Sequence, residues 1–431
     1  MSAAADGGTK DRSMSGSDMR IDSPHSAPDH VGLQDSDETL LAEAERLTGL
    51  LQANAAETER RGRLPDENAN ALRAAGFFTL QAPRRYGGRA AGLREVFEVY
   101  TALARGCPSS SWVSMILSGS ALVASHFDDR ARAEVWGEDP RAAVCSSFIP
   151  GGAAQAERGG VRISGRWQPM SGVYESQWTI VTTAVRDEHG AALVPHVALV
   201  PMGEASIDRT WHVAGLQGTG SETVVLQEVF VPEHRLLSMP KLLESGYAAE
   251  HPDEPLCIAP VLSLLAITTV APVLGMAEAV LRQVKDSLDE RMAAVSVSDS
   301  GAGASASAGS ADFRAVQLGY ADAVSLLDLA RLSAERAIRD VEHGIQAAEQ
   351  LDLYTRARIR VDVATAARYA RDAVDRALSL NGSRSFANDN PLQRFWRDME
   401  IATRHVLMSQ ERSHDLYAQV LFGARELSSP V

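Results

Sequence analysis

The chain has 431 residues, an apolar content of 45% and a formal charge of −14. That length exceeds one ordinary core and predicts two or three packed units, while the acidic balance speaks against nucleic acid as a partner, because phosphate recognition needs a basic face. Cys107, Cys145 and Cys257 have no paired spacing, which excludes a disulfide framework or zinc cage and points to reducing cytoplasm.

Residues 1–37 are rich in Ser, Gly, Asp and Ala, lack an apolar period and read as a disordered tail. "DETLLAEAERLTGLL" then places Leu40, Leu41, Ala44, Leu47, Leu50 and Leu51 at helical spacing. "LPDENANALRAAGFF", "LREVFEVYTALARGC" and "SSSWVSMILSGSALVASHF" continue the pattern, so 38–142 reads as an α-helical domain. From 143 to 245 the runs are short and β-rich, among them "AAVCSSFIPGG", "QWTIVTTAV" and "TVVLQEVFVP", as in a small barrel or sandwich. Over 246–431 four long segments, about 260–293, 312–348, 352–380 and 391–423, fit a four-helix bundle. "SVSDSGAGASASAGSAD", near 295–311, reads as a disordered loop. The most apolar stretch, "IAPVLSLLAITTVAPVLGMAEAVL", is interrupted by two prolines and reads as a buried helix, not a membrane span. No secretory h-region follows Met1, and no metal motif occurs. The class is α+β.

Three separated words carry more than periodicity does. "GLQGTGSETVVLQEVFVPEHRLL" (Gly215–Leu237) resembles the β-domain signature of the acyl-CoA dehydrogenase superfamily. "LPDENANALRAAGFFTLQAPRRYGG" resembles its N-terminal helix entry, and "NPLQRFWRD" (Asn390–Asp398) its last long helix. "TWHVAGLQGTGS" and "NPLQRFWRDMEIATRH" are similar to the oxygenase components of two-component flavin monooxygenases, which include hydroxyphenylacetate and polyketide hydroxylases and amino-sugar N-oxygenases. Many acyl-CoA dehydrogenases carry a glutamate base after the "RD" of the last helix. Val406 stands at that position here, with His405 before it.

The resemblance implies an enzyme that takes reduced flavin from a separate NAD(P)H-flavin reductase and forms a C4a-hydroperoxide with O2. The hydroperoxide then hydroxylates a small molecule. The resemblance favours reduced FMN, with FAD as the alternative. It also implies a homotetramer. No GxGxxG fingerprint marks a nicotinamide site in this chain. The competing readings are a dehydrogenase or oxidase of the same fold, with Glu222 or Glu175 as base, and a non-catalytic helical interaction protein.

His405 reads on its own as a packed core histidine on a helix face shared with Ile401 and Met408. The missing glutamate turns it into the expected proton carrier. By resemblance, Ser171 lies beside flavin N5, and Ser146 or Ser147 meets the pyrimidine edge. Gly218, Gly220 and Ser221 form a low-bulk loop able to approach a ring or an anion. Arg291 resembles an arginine that reaches a flavin phosphate, often on a neighbouring subunit. Asn381, Gly382 and Ser383 offer donors near a helix start. Trp112, Ser120 and Tyr174 are candidate substrate-pocket residues. Phenol hydroxylases of this branch tend to carry histidine where Ser120 stands, and another shortly after the "SG" of the β domain, which reads "SGVYES" here. Both departures favour a larger polyketide-like aromatic or an amino sugar over a simple phenol.

Overall fold

The computed structural model describes residues 37–186, 193–250, 254–299 and 306–431. Six helices come first: α1 (Asp37–Ala53), α2 (Ala55–Arg61), α3 (Asp66–Ala74), α4 (Leu93–Gly106), α5 (Pro108–Ala124) and α6 (Asp129–Trp136). α5 begins with proline in its first turn, where the ring's fixed φ suits the helix and the missing N–H costs no bond. Nearly every residue of α5 is buried, because the N-terminal helices, the sheet and the C-terminal helices all close on it.

The strands β1 (Val144–Glu157), β2 (Gly160–Met170), β3 (Trp178–Arg186), β4 (Leu193–Pro201), β5 (Ser206–Asp208), β6 (Glu222–Pro232) and β7 (Leu236–Ser238) form one mixed sheet of order β5-β6-β2-β1-β3-β4-β7. β1 and β3 are parallel, and their register slips between Ser147 and Pro150. Such a bulge bends the strand and re-aims side chains beside it. Here it follows directly on the two candidate serines of β1.

After the short α7 (Met239–Leu243) come α8 (Val261–Asp299), α9 (Ala306–Ala347) and α10 (Leu353–Asn381). α8 contains a 33-residue apolar stretch, Val261–Ala293, long enough to cross a membrane by length and composition; 89% of its most apolar window is buried inside the protein, as a core helix requires. Helix reaches Asp299 and resumes at Ala306, so the loop expected near 295–311 is helical wherever it is described; 300–305 lie outside the described residues. Residues 1–36 of the expected tail lie outside them too.

The last expected helix, 391–423, is two helices. α11 (Pro391–Ala402) and α12 (Gln410–Leu421) flank a break that includes a 3-10 turn, Val406–Met408. No Gly or Pro stands between 403 and 409 to announce the break. It is held by substitute hydrogen bonds: the Leu407 N–H donates to His405 Nδ1 at 3.4 Å, and Arg360 donates to the freed Val406 carbonyl at 3.3 Å. His405 is therefore the cap of a turn with extended backbone (φ −61, ψ 141), not a mid-helix residue sharing a face with Ile401 and Met408.

Candidate active site

Two of the words that carry the family resemblance, around Gly215 and Arg397, meet in space at the end of α2, just ahead of the third. Glu59 of α2 is bound by Arg394 at 2.8 Å and Arg397 at 2.6 Å, both on α11. The buried Asp398 carboxylate accepts the Leu216 N–H at 2.5 Å. Burial pushes this carboxyl up to about 7, and the charge of Glu59 pushes the same way. Gly215 lies so close to the Arg397 carbonyl that any Cβ would collide with it. Gly218 is pressed against Thr58 in the same manner, and Gly220 has φ +53 and donates its N–H to Gly62 at 3.1 Å. The two glycines expected as an open cradle are thus used for close packing of the loop on the end of α2.

Ser221, at the end of this loop, belongs to a chain of hydroxyls. Thr219 Oγ1 donates to the Leu216 carbonyl at 2.8 Å, so it accepts from Ser221 Oγ at 2.6 Å. Ser221 has then spent its proton and accepts from Ser171 Oγ at 2.7 Å. Ser171, half-buried, is left presenting lone pairs. The same logic holds across α5 and β1. Ser120 donates to the Ile116 carbonyl at 2.7 Å and accepts from Ser146 at 2.7 Å, leaving Ser146 with lone pairs. Strand alternation puts Ser147 on the other face, buried and with no partner for its hydroxyl.

His405 is half-buried, with Trp112 of α5 edge-on at 5.7 Å between ring centres. Burial pushes its pKa down to about 4, and the positive charge of Arg360 adds to the effect. The ring is neutral at ordinary pH. Because Nδ1 accepts the Leu407 N–H, the proton sits on Nε2, which is a donor.

Next to this turn lies a cavity of about 430 Å³. Val123, Phe148, Leu265, Val406 and Leu407 are among its apolar walls, and Arg360 and Arg412 bring charge. Trp112, Ser120 and Tyr174 do not line it. Trp112 and Ser120 instead support His405 and Ser146. The Tyr174 hydroxyl donates to Glu222 at 3.2 Å, on the far side of the clamp. Glu222 also accepts the Thr210 and Trp211 N–H groups at 2.7 and 3.0 Å. Glu175 is buried, with its carboxyl pushed up to about 7 by burial. Neither glutamate lines the cavity.

The remaining candidates gather elsewhere. Arg291 is exposed and donates to the Leu380 carbonyl at 3.5 Å. Asn381 bonds Ser287 and Ser385, each at 2.9 Å. Asn381 closes α10, Gly382 caps it with φ +78, and Ser383 opens a 3-10 turn. These residues sit at a helix C-terminus, the negative end of the dipole, not at the expected helix start. At 1.5 Å per residue, Asn381 lies about 30 Å along α10 from Arg360. One chain does not bring the two clusters together.

Residues 36–132 match the family described as "Acyl-CoA dehydrogenase, N-terminal domain", and 267–410 match "Acyl-CoA dehydrogenase, C-terminal domain". The chain is 31% identical to the FADH(2)-dependent resorcinol hydroxylase, oxygenase component, of Rhizobium sp. (strain MTP-10005), over 87% of this chain and 91% of that protein. It is 33% identical to the flavin-dependent monooxygenase oxygenase subunit HsaA of Mycobacterium tuberculosis, over 91% and 96%. The chain belongs to the flavin-dependent monooxygenase branch of the acyl-CoA dehydrogenase family. The structure of XiaF from Streptomyces sp. with FADH2 and glycerol superposes with a TM-score of 0.84 at 31% identity, covering 92% of this chain and 98% of that one. KijD3, in complex with FMN and a dTDP-amino sugar, has a TM-score of 0.74 at 18% identity and shares the fold.

As an oxygenase component the chain works with reduced flavin, O2, a small-molecule substrate and a separate reductase. Ser146, Ser171 and His405 are half-buried, and none of them lines the cavity beside the turn. Val406 lines the cavity with a side chain that cannot take a proton. Three features escaped the sequence reading: the break at His405, the clamp role of Asp398, and Arg360. Arg360 was visible in principle, because it interrupts the small apolar stripe Ala357, Val363, Ala364 and Ala367 at helical spacing.

Proposed function

We propose that this chain hydroxylates a small aromatic or polyketide-type molecule, with reduced flavin delivered by an NAD(P)H-dependent reductase in the cytoplasm. The observation that carries this is the neutral His405, capping a helix break beside a cavity whose wall holds Val406 in place of a base. Among the relatives above 30% identity, an FADH(2)-dependent resorcinol hydroxylase and a structure holding FADH2 support an aromatic substrate, and FADH2 over the expected FMN. An amino sugar is the secondary reading, since the neighbour that binds one is only 18% identical.

When bound, reduced flavin supplies the activated oxygen. Ser171 offers lone pairs, which suit the N–H that reduced flavin carries at N5. Ser146 would accept in the same way from a ring N–H or a substrate hydroxyl. His405 donates from Nε2 and holds or releases that proton as charge changes during transfer. The walls around it exclude water. The separation of Arg291 and Asn381–Ser383 from the cavity beside His405 supports a tetramer in which those residues serve a neighbouring subunit's flavin.

Stopped-flow mixing of the protein and anaerobically reduced FAD with oxygenated buffer tests this reading. A transient absorbance preceding that of oxidised flavin is expected. Oxidation at the rate of free flavin, for both FAD and FMN, would sink it.

A further inference from the structure

α10 carries Arg358 and Arg360 close together, and they have opposite fates. Arg358 pairs with Asp340 at 2.5 Å, and the nearby Asp362 is taken by Arg336. Arg360 faces the cavity and is only 4% exposed. One of its N–H groups donates to the Val406 carbonyl at 3.3 Å, while its Nε–H has no partner. Among the described residues no carboxylate lies within ion-pair distance of it. The other charged groups on the cavity wall do not compensate. Arg412 has the same sign and is exposed; Asp415 is exposed and accepts from Gln419 Nε2 at 2.9 Å.

A buried, unpaired guanidinium is among the costliest groups a fold can hold, and folds keep such groups where a ligand completes them. The surroundings say what kind of ligand. Val123, Phe148, Leu242, Val261, Leu265 and Leu407 make the walls apolar, and about 430 Å³ is in the range of small-molecule pockets. Arginine's planar fork matches a carboxylate. We propose that Arg360 is the anion-recognition residue of this cavity, and that it selects an apolar ring compound carrying a carboxylate. This rests on the reading of the cavity as the substrate space of a flavin-dependent hydroxylase. Burial pushes Arg360 down to about 10, so it stays charged at neutral pH. Its hydrogen bond to Val406 ties the substrate's charged end to the turn that carries His405.

The test is equilibrium binding by calorimetry to the full chain without flavin. The probes are benzoate, 2-naphthoate and anthracene-2-carboxylate, each against its neutral carboxamide. At least one acid should bind about tenfold to a hundredfold more tightly than its amide, the value of a charge-assisted hydrogen bond. Arg360→Gln should abolish that preference and Arg360→Lys should keep part of it. Arg360→Met, of similar length and apolar, should hold or raise the thermal midpoint, because it removes an uncompensated charge.

No acid preference in the wild type for any ring size overturns the proposal, as does a preference that survives Arg360→Gln. A lower midpoint in Arg360→Met with the acid preference intact would make Arg360 a support of the turn only. Weaker FAD binding in Arg360→Gln without loss of acid preference would reassign the anion to the flavin phosphates. None of these outcomes touches the stopped-flow transient, so this site can fail while the hydroxylase reading stands, and the reverse.

Discussion

The clamp at Asp398 and the groove at His405 are neighbours in the chain, and they treat polar groups in opposite ways. In the clamp the polar groups have partners: Glu59 has two arginines, and the Asp398 carboxyl accepts the Leu216 N–H. Around His405 and the cavity beside it groups are left over: lone pairs on Ser146 and Ser171, and the Arg360 Nε–H. The words by which the family is recognised therefore hold the frame. On the proposed reading, the chemistry sits where the frame stops satisfying its own atoms.

The sharpest way to break this contrast is to remove one group from each side. His405→Ala should lower product formed per reduced flavin consumed by about 10²-fold to 10⁴-fold, the range for a positioned proton carrier. Its stability should fall only by the loss of one long capping hydrogen bond, about 1 kcal/mol or less. Normal coupling with the true substrate would return His405 to the role of packing. Asp398→Ala should do the converse. It strands a buried N–H and should cost about 1–3 kcal/mol in denaturant unfolding, with coupling in the folded fraction unchanged. A stable Asp398→Ala protein with lost coupling would erase the distinction between frame and groove.

A milder probe uses pH. With its pKa raised from 3.8 to about 7, Asp398 keeps a proton in the folded chain that the unfolded chain releases. The stability drawn from this group is complete below about pH 4 and is lost as pH rises through about 7. Glu175 adds the same sign, and His405, lowered from 6.5 to about 4, opposes it between those values. Asp398→Asn retains the acceptor but cannot ionise, so it should flatten the fall of the thermal midpoint from pH 4 to 7; an unaltered slope would mean that the folded carboxyl is already ionised. The smallest effect belongs to Ser120→Ala. Removing one hydroxyl of the Ser120–Ser146 pair should cost about 1 kcal/mol or less and free the Ser146 proton to turn toward the groove. A change in KM without a change in kcat would sharpen the picture of a lone-pair surface there, and no kinetic change would remove Ser146 from it.

Much of this architecture is legible in the sequence because it repeats. The apolar period from Val261 onward and the β-rich runs after Ala143 announce their elements without help from the rest of the chain. The oxygenase branch was legible in the words around Gly215 and Arg397, because close backbone approach leaves little freedom in which residues stand there. The break before Val406 was not legible. Its residues keep a helical pattern, and only contacts from α10, above all Arg360 to the Val406 carbonyl, make the turn preferable. Trp112, a candidate pocket residue, stands edge-on to His405 and does not line the cavity beside the turn. A sequence can nominate an aromatic, but which face it turns to the site depends on packing between elements far apart in the chain.

The break in the final helix has one more consequence. Past it, Leu416 and Val431 form a small apolar cluster with Ala357, separate from the main core, while Leu407, Leu416 and Pro430 supply part of the cavity wall. The last stretch of chain thus sits as a separately packed panel on the main core. Substitutions in that panel would reshape the cavity and leave the clamp untouched. A scaffold arranged in this way can acquire new specificities by small changes near its C-terminus.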